Sequence, residues 1–386
     1  MIVNIEFFDE DPMENIITSL NYKVDKTIFF GYERIIREQS EHVKSFLQNT
    51  CGVTEVEFCI VDEMDLSMTI AVIEEKVAEN HRAGHQVFFD LTGGESLPLV
   101  AFGILSKELN APMHKYDIRA NEMYEYGYEG IVRLSDVAEY DPILLNLDEY
   151  ISIFGGKINY RKQKDFKNVW DQSDVDEIKA MWIIYTKYQT TWLYYSNLMR
   201  KFAPKQGLIV AVNEKDFLKE FRSVPQTGNI KVFHQFLDDC AKAGFLKSVS
   251  YKEGFYRFEY ANSTVKNYFW DGGSILEMYT FLQECEREET NDCRVGVHID
   301  WDGVIHDVSN DDVLNEIDIM SIDNNLPTFI SCKIGKVDQM ALYELSTVAN
   351  QFGGKYAKKV LAVAKPIAPA HSLRAKEMGI EIKMIQ

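Results

Sequence analysis

No apolar run in the 386 residues approaches the roughly 20 needed to cross a bilayer. The chain opens Met1-Ile2-Val3-Asn4-Ile5-Glu6, a strand pattern with no basic region and no cleavage-like site. Nothing there addresses it to an export route, so a cytoplasmic protein without a membrane partner is expected. The six cysteines (Cys51, Cys59, Cys240, Cys285, Cys293 and Cys332) form no CxxC and no paired zinc spacing. They read as reduced packing residues. Positive charge is scarce: 41 basic against 60 acidic residues leave a net charge of −19. That excludes a broad basic surface for duplex DNA, whose binding rests on neutralising phosphates. Contact with nucleic acid would have to be local and helped by metal ions. Internal repeats and low-complexity segments are absent.

What is present is a globular composition, 46% hydrophobic and 26% charged, long enough for two or three domains. The first third alternates strand and helix. Strands are expected at Ile2–Phe8, Thr27–Phe30, Thr54–Val61 and Gln86–Leu91, and helices at Glu33–Leu47, Leu66–Arg82 and Leu97–Leu109. A further helix should open at Asp11-Pro12-Met13-Glu14, with Asp11 as cap and Glu14 near a capping box. A small extension, Met113–Ile118 and Met123–Tyr128, closes the domain near residue 150. This order implies a mostly parallel sheet, with ligands beyond the carboxyl ends of its strands.

In the middle, Asp174–Phe202 is helical in period. Trp182, Tyr185, Tyr188, Trp192 and Tyr195 fall three or four residues apart. Such a stripe is core or a dimer face more often than a base-stacking platform. Helix Val232–Ala243 and strands Lys247–Tyr251 and Gly254–Tyr260 then resemble a winged helix, which is either a connector or a DNA reader. The last part, from helix Ser274–Glu288 onward, reads α-β-β-β-α-β, with strands Arg294–Trp301, Asn315–Ser321 and Thr328–Lys333.

Asn315-Glu316-Ile317-Asp318-Ile319 carries the chemistry. Strand alternation puts Glu316 and Asp318 on one face and the two isoleucines on the other. Paired carboxylates in an apolar sheet require a compensating cation. In Phe329-Ile330-Ser331-Cys332-Lys333, Ser331 and Lys333 share a face, and a hairpin would bring Lys333 beside Asp318. Glu277, behind Gly272-Gly273, could supply a third acid. Acids with a lysine suit phosphodiester hydrolysis, in which a bound divalent ion activates water and the lysine orients it or offsets phosphate charge. His298, Asp300, Asp302 and His306 form a rival cluster, although such a face is more often a solvated edge.

These residues resemble the PD-(D/E)xK nuclease superfamily, with Asp318 as the aspartate, Ser331-Cys332-Lys333 at (D/E)xK and Glu277 as the early helical acid. The wider pattern Gly272-Gly273-x-x-Leu276-Glu277, Asn315-Glu316-Ile317-Asp318, Ser331-Cys332-Lys333 and Phe352-Gly353-Gly354 resembles the DUF1887 type. There a CRISPR-associated Rossmann-fold (CARF) sensor precedes the nuclease. The resemblance implies an α/β chain with three parts: a Rossmann-like CARF domain (1–150), a small helical, winged-helix-like linker module (151–265) and an α/β restriction-endonuclease-like domain (266–386). It implies a catalytic set of Glu277, Asp318, Lys333, Glu316 and Ser331, acting on DNA or RNA with Mn²⁺ or Mg²⁺. Serine stands at Ser331 in place of the usual second acid. The metal would then take Glu277, Asp318 and the Cys332 main-chain carbonyl. Ile275 stands where the family tends to carry tryptophan.

Thr92-Gly93-Gly94-Glu95-Ser96 follows a buried strand and precedes a helix, where glycines and a helix N-terminus could receive a phosphate. A tight turn is the plainer reading. It is not GxGxxG, and no Lys-Ser/Thr follows, so dinucleotide and P-loop readings are poor. The CARF resemblance implies a cyclic oligoadenylate, the tetramer, bound across a homodimer. Its contacts would be Phe8, Asp9, Glu10, Asp11, Pro12 and Asn15 of one turn and Thr92, Gly93, Gly94, Glu95 and Ser96 of the other. Two other functions fit less well. One is a ligand-responsive DNA-binding transcriptional regulator, for which no basic recognition helix is evident. The other is a sensor that degrades its own ligand, for which no His or Lys stands beside Thr92.

Overall fold

The computed structural model describes residues 1–127, 130–134, 142–162, 171–224, 226, 228–306 and 314–386. The chain runs β1 (Ile2–Phe7), α1 (Ile17–Asn21), β2 (Lys26–Gly31), α2 (Glu33–Asn49), β3 (Glu55–Ile60), α3 (Leu66–Arg82), β4 (Gln86–Asp90), α4 (Ser96–Leu109), β5 (Met113–Asp117), β6 (Glu122–Gly127), β7 (Gly130–Arg133) and α5 (Leu147–Ile153). There follow β8 (Lys157–Ile158), α6 (Gln172–Lys187), α7 (Trp192–Phe202), β9 (Ile209–Asn213), α8 (Glu214–Ser223), α9 (Ile230–Lys242), β10 (Leu246–Ser250), β11 (Phe255–Tyr260) and α10 (Ser263–Trp270). The last part is α11 (Ser274–Cys285), β12 (Thr290–Asp300), β13 (Leu314–Asp323), β14 (Leu326–Lys333), α12 (Gln339–Gly353), β15 (Lys358–Val363), α13 (Pro369–Glu377) and β16 (Ile380–Met384).

Three sheets result. The first has the order β3-β2-β1-β4-β5-β6-β7, parallel through β5 and antiparallel beyond. Its central strands are buried on both faces, as a parallel sheet between helices requires. Val3, Ile5, Phe7, Ile28 and Phe89 pack towards α3 and α4, and Phe29 and Phe88 pack on the opposite side. The second sheet, β10-β11-β9, is antiparallel and carries α8 and α9, a winged-helix-like module. The third runs β16-β15-β14-β13-β12-β8, a mixed sheet.

That third sheet lies between the other two parts. Ile319, Ile330, Cys332, Val360 and Ala362 join one core with α6, α7, α9 and α11. Met320, Ile322, Phe329, Leu361 and Val363 join another with α12, α5 and the inner face of the first domain. The aromatic stripe is entirely core: Trp182, Tyr185, Tyr188, Trp192 and Tyr195 are all buried, and Trp182 stacks on Tyr279 of α11 at 4.4 Å.

Two expectations need correction. No helix opens at Asp11; residues 11–16 are a turn, and α1 begins at Ile17. The segment is closed as a loop instead, because Asn15 Oδ1 accepts the Asp9 N–H at 2.7 Å and Asn15 Nδ2 donates to the Asp9 carbonyl at 2.9 Å. Asp11 does receive the Met13 N–H, but Glu14 makes no capping box. The long helix Asp174–Phe202 is two helices, broken between Tyr188 and Thr191. Two β-branched threonines stand there, and Gln189 turns aside to donate to the Ala364 carbonyl at 2.7 Å. Elements β9, α8 and α10 had no counterpart in the sequence reading. Tyr128, the expected end of the sheet extension, lies outside the described residues.

Candidate active site

Glu277 stands in the first turn of α11, where the helix dipole favours an ionised carboxylate, and it is buried. The turn before it is held by Asp271, whose Oδ1 accepts the Gly273 N–H at 3.1 Å and whose carbonyl accepts Ser274 Oγ at 2.7 Å. Gly272 must be glycine, because a Cβ there would lie 2.9 Å from Ser196 Oγ and 3.2 Å from Leu193. Its carbonyl accepts the Trp192 indole N–H at 2.8 Å. Helix α7 therefore fixes where α11 starts and how deep Glu277 sits.

Asp318 is held through one oxygen. Its Oδ2 accepts the Cys332 N–H at 2.6 Å and Ser331 Oγ at 3.2 Å, with Lys333 Nζ at 3.9 Å. Oδ1 accepts no hydrogen bond from a described residue. Burial, with the charges of Asp318 and Glu277, pushes the Cys332 thiol well above its ordinary value. Both acids thus stand close to Cys332, one on a strand and one on a helix. Two carboxylates and a main-chain carbonyl are all-oxygen donors, the set a hard divalent cation takes.

Strand alternation does not persist through Asp318. Ile317 packs in the core facing α12, and Ile319 in the core facing α11, so the two isoleucines are on different sides. The register explains this, since Val295 pairs with Ile319 and Val297 with Ile317, which sets Gly296 opposite Asp318. Gly296 has φ +64, a left-handed conformation that kinks the pair of strands there. Glu316 is directed to the neighbouring strand, its Oε2 3.7 Å from His298 Nε2. Of the rival cluster, Asp300 and Asp302 share a side-chain hydrogen bond at the end of β12 with His306 beside Asp302, while His298 turns away to the Gly296 carbonyl and Glu316. Among the described residues, no three His, Cys, Asp or Glu side chains are placed to hold one metal ion together. Any ion at Glu277 and Asp318 would complete its shell with the Cys332 carbonyl and water.

The other expected site lies at the carboxyl ends of β1 and β4. The turns after them touch, since a Cβ on Gly93 would lie 3.0 Å from Glu14 Cβ and 3.5 Å from Asp9 Cβ. Gly94, at φ +128, has Leu99 and Phe7 3.2 Å from where its Cβ would be. Thr92 is fixed by its N–H to Asp90 Oδ1 at 2.7 Å and by its hydroxyl, which accepts the Tyr116 N–H at 2.9 Å. Ser96 begins α4 behind Glu95. Phe8 is core, edge-on to Phe29 and Phe58. Glu10 is exposed and pairs with Arg34. Asp11 and Pro12 line a cleft of about 570 Å³ together with Gln39, His42, Gln351 and Lys355.

Sequence reasoning missed the partner of this turn. Lys355, just after α12, donates to Glu14 Oε2 at 2.7 Å and Asp9 Oδ1 at 3.1 Å, while its own N–H donates to Asp11 Oδ2 at 2.8 Å. Tyr356 donates to Glu14 Oε1 at 2.7 Å. Burial lowers the Lys355 pKa, but the bonds to Glu14 and Asp9 outweigh it and hold the ammonium above its ordinary value. Burial raises Glu14, only partly offset by Lys355 and Tyr356. Glu6 and Asp90 lie deeper in the same end of the sheet, both raised chiefly by burial. The only signal in the sequence was Gly353-Gly354 before Lys355.

Residues 266–385 match the family described as Card1-like, endonuclease domain. Glu277, Asp318, Ser331, Cys332 and Lys333 all lie in this segment, whereas the turns at Asp9 and Thr92 lie outside. Over nearly its whole length the chain is similar in fold to protein VC1899 from Vibrio cholerae, at 16% identity and TM-score 0.72, covering 99% of this chain and 94% of that one. It is similar also to Can2 from Sulfobacillus thermosulfidooxidans, solved in complex with cyclic tetra-adenylate, at 18% identity and TM-score 0.65, covering 99% and 95%. At these identities the likeness establishes the fold alone, a Rossmann-like part and a mixed α/β part in one chain. No curated protein sequence matches it.

Proposed function

We propose that this chain is a cyclic oligoadenylate-activated, divalent-metal-dependent nuclease of type III CRISPR antiviral defence, cutting DNA or RNA in the cytoplasm. The observation that carries the reading is Asp318 bonded to the Cys332 N–H with Lys333 at 3.9 Å, and Glu277 near enough to act on the Cys332 thiol, in a segment that matches the Card1-like endonuclease domain. Glu277, Asp318 Oδ1 and the Cys332 carbonyl would hold Mn²⁺ or Mg²⁺, which when bound polarises a phosphoryl oxygen and acidifies water. Ser331 and the Cys332 N–H keep Asp318 oriented through Oδ2. Lys333 orients the attacking water or offsets charge building on the phosphate. Glu316 stands at the rim beside His298.

The activator in this reading is cyclic tetra-adenylate, held across a homodimer by the turns that contain Asp9, Asp11, Asn15 and Thr92–Ser96. A two-fold ring on a two-fold axis needs only one self-complementary pocket. The Can2 complex, on the same fold, supports the choice of ligand. Residues 1–150 would sense, 151–265 link and 266–386 cut. The grip of Asp9, Asp11 and Glu14 on Lys355 supplies a direct contact between sensing turn and nuclease domain. A ligand that favours one arrangement of that contact over another shifts the nuclease with it.

The test is cleavage of labelled single- and double-stranded DNA and RNA with Mn²⁺ or Mg²⁺, with and without each cyclic oligoadenylate. Cutting should require the ring and should vanish in Asp318→Ala. Full activity in that variant, or inertness with every ring, rejects the proposal.

A further inference from the structure

The acidity of the chain is not evenly spread. Between Gln172 and Trp270 there are fourteen lysines and arginines against ten aspartates and glutamates, in a protein whose net charge is −19. The winged-helix-like module is therefore an island of positive charge, and α8 gives it a shape. Phe217 and Phe221 bury one face of that helix. Lys215, Lys219 and Arg222 stand exposed on the other at i, i+4 and i+7, which is one stripe. With Leu218 and Ser223 they line a concavity of about 540 Å³. None of the three forms an ion pair with a described residue; neighbouring Glu220 pairs with Lys201 instead. The acids of α8, Glu214, Asp216 and Glu220, lie next to the three cations in sequence but form no ion pair with them among the described residues.

Two further observations say what would cover the stripe. Phe255, 36% exposed, pairs across the sheet with Asn213, the residue that caps α8, and so stands at the start of the stripe with the Arg257 guanidinium 5.2 Å from its ring. An exposed aromatic beside a row of cations suits a polynucleotide, whose bases stack while its phosphates pair. The module also reaches the catalytic cleft. Leu193 of α7 packs within 3.2 Å of a Cβ position at Gly272, before Glu277, and within 3.5 Å of one at Gly335, after Lys333. Arg200, two turns further along the same face of α7, is exposed and has no ion pair among the described residues.

We infer that α8, through Lys215, Lys219 and Arg222, is the docking surface for the backbone of the nucleic-acid substrate, with Phe255 as a base-stacking platform. This rests on the nuclease reading above. It also bears on the charge pattern, because an acidic enzyme can hold a polyanion if its cations are concentrated on one surface.

The experiment uses full-length protein carrying Asp318→Ala, without divalent metal, so that binding is read without cleavage. Fluorescence anisotropy of labelled single-stranded and duplex oligonucleotides is followed against salt. Replacing Lys215, Lys219 and Arg222 together by glutamine should weaken binding at least about tenfold. It should lower the slope of log affinity against log salt by about 2 for single strands and about 3 for duplex, since three phosphate contacts are lost. Lys215→Arg with Lys219→Arg should keep both. In the active enzyme the glutamine triple should raise KM and leave kcat within about twofold. An unchanged salt slope and KM overturn the inference, as does a triple variant that loses only self-association in sedimentation. Because anisotropy needs no cleavage, its failure is separate from failure of the nuclease reading, which a wild-type cleavage assay reports.

Discussion

Lys355 Nζ lies 2.7 Å from Glu14 Oε2 although 341 residues separate them in the chain. The contact joins the turn after the first strand to the turn between α12 and β15. Strand β15 pairs in parallel with β14, which ends in Lys333. A change at the amino-terminal turn therefore has a short covalent and hydrogen-bonded route to the catalytic strand. The route has the discrete character that coupling needs, since Glu14 either holds the ammonium or does not.

Lys355→Ala should uncouple the two domains. The ratio of activity with ligand to activity without it is expected to fall at least about tenfold, equivalent to about 1.4 kcal/mol of coupling. Affinity for cyclic tetra-adenylate, measured by calorimetry in the Asp318→Ala background, should stay within about threefold. Loss of ligand affinity alongside the ratio would make Lys355 a ligand contact instead.

Gly354→Ala tests the backbone half of the same contact. Gly354 has φ +60, and a Cβ there would lie 2.5 Å from Asp11 Oδ2. Alanine must break the Lys355 N–H bond to Asp11 and adopt a strained conformation, a loss of about 1–3 kcal/mol in stability read by denaturant unfolding. Gly155→Ala is a suitable control, because φ is also positive there but its Cβ would meet nothing.

Asp318→Asn should abolish cleavage by at least about a hundredfold while leaving thermal stability nearly unchanged. Asparagine keeps an acceptor for the Cys332 N–H and loses only the charge. A variant that retained more than a tenth of wild-type kcat would remove Asp318 from the chemistry.

Ser331→Asp restores a second acid beside Asp318. Metal titration of cleavage should show half-maximal Mn²⁺ reduced by about tenfold or more, because two adjacent carboxylates repel each other and a cation bound between them relieves that repulsion. In metal-free buffer the same variant should be less stable than wild type.

Glu6 and Asp90 set a pH dependence of stability. Burial is the largest cause of the rise in both, so the folded protein holds protons that the unfolded chain releases above about pH 4. With more protons bound when folded, stability falls as pH rises from about 4 through the raised values. Glu6→Gln, which keeps an acceptor for Asn4 Nδ2, should flatten that fall and raise Tm at neutral pH. A steeper fall in urea-unfolding midpoints between acid and neutral pH would contradict the assignment.

Much of this protein is local in origin. Hydrophobic period placed β1 to β4 and α2 to α4 within a few residues of their observed ends, because each is a run whose own side chains choose strand or helix. The Gly-Gly turns at 93–94 and 272–273 were visible for the same reason. Asp318, Ser331 and Lys333 could be brought together on paper since a hairpin relates them by simple register. Alternation failed at Asp318 because the kink comes from Gly296, on a strand that pairs with β13 from the other side.

Tertiary structure alone decided the rest. Glu14 was a capping candidate by sequence, yet it holds Lys355 and Tyr356, because a buried carboxylate goes to the strongest donor that packing brings, wherever it lies in the chain. Helix α8 has no long apolar signature and became visible only when β9 and β11 folded beneath it, leaving its cations on one side. Sequence determined which segments form strands, helices and turns, since those choices rest on neighbours within a few residues. Which charges meet, and which stay unpaired, depended on the packing of three sheets, because electrostatic partners are chosen by distance in space.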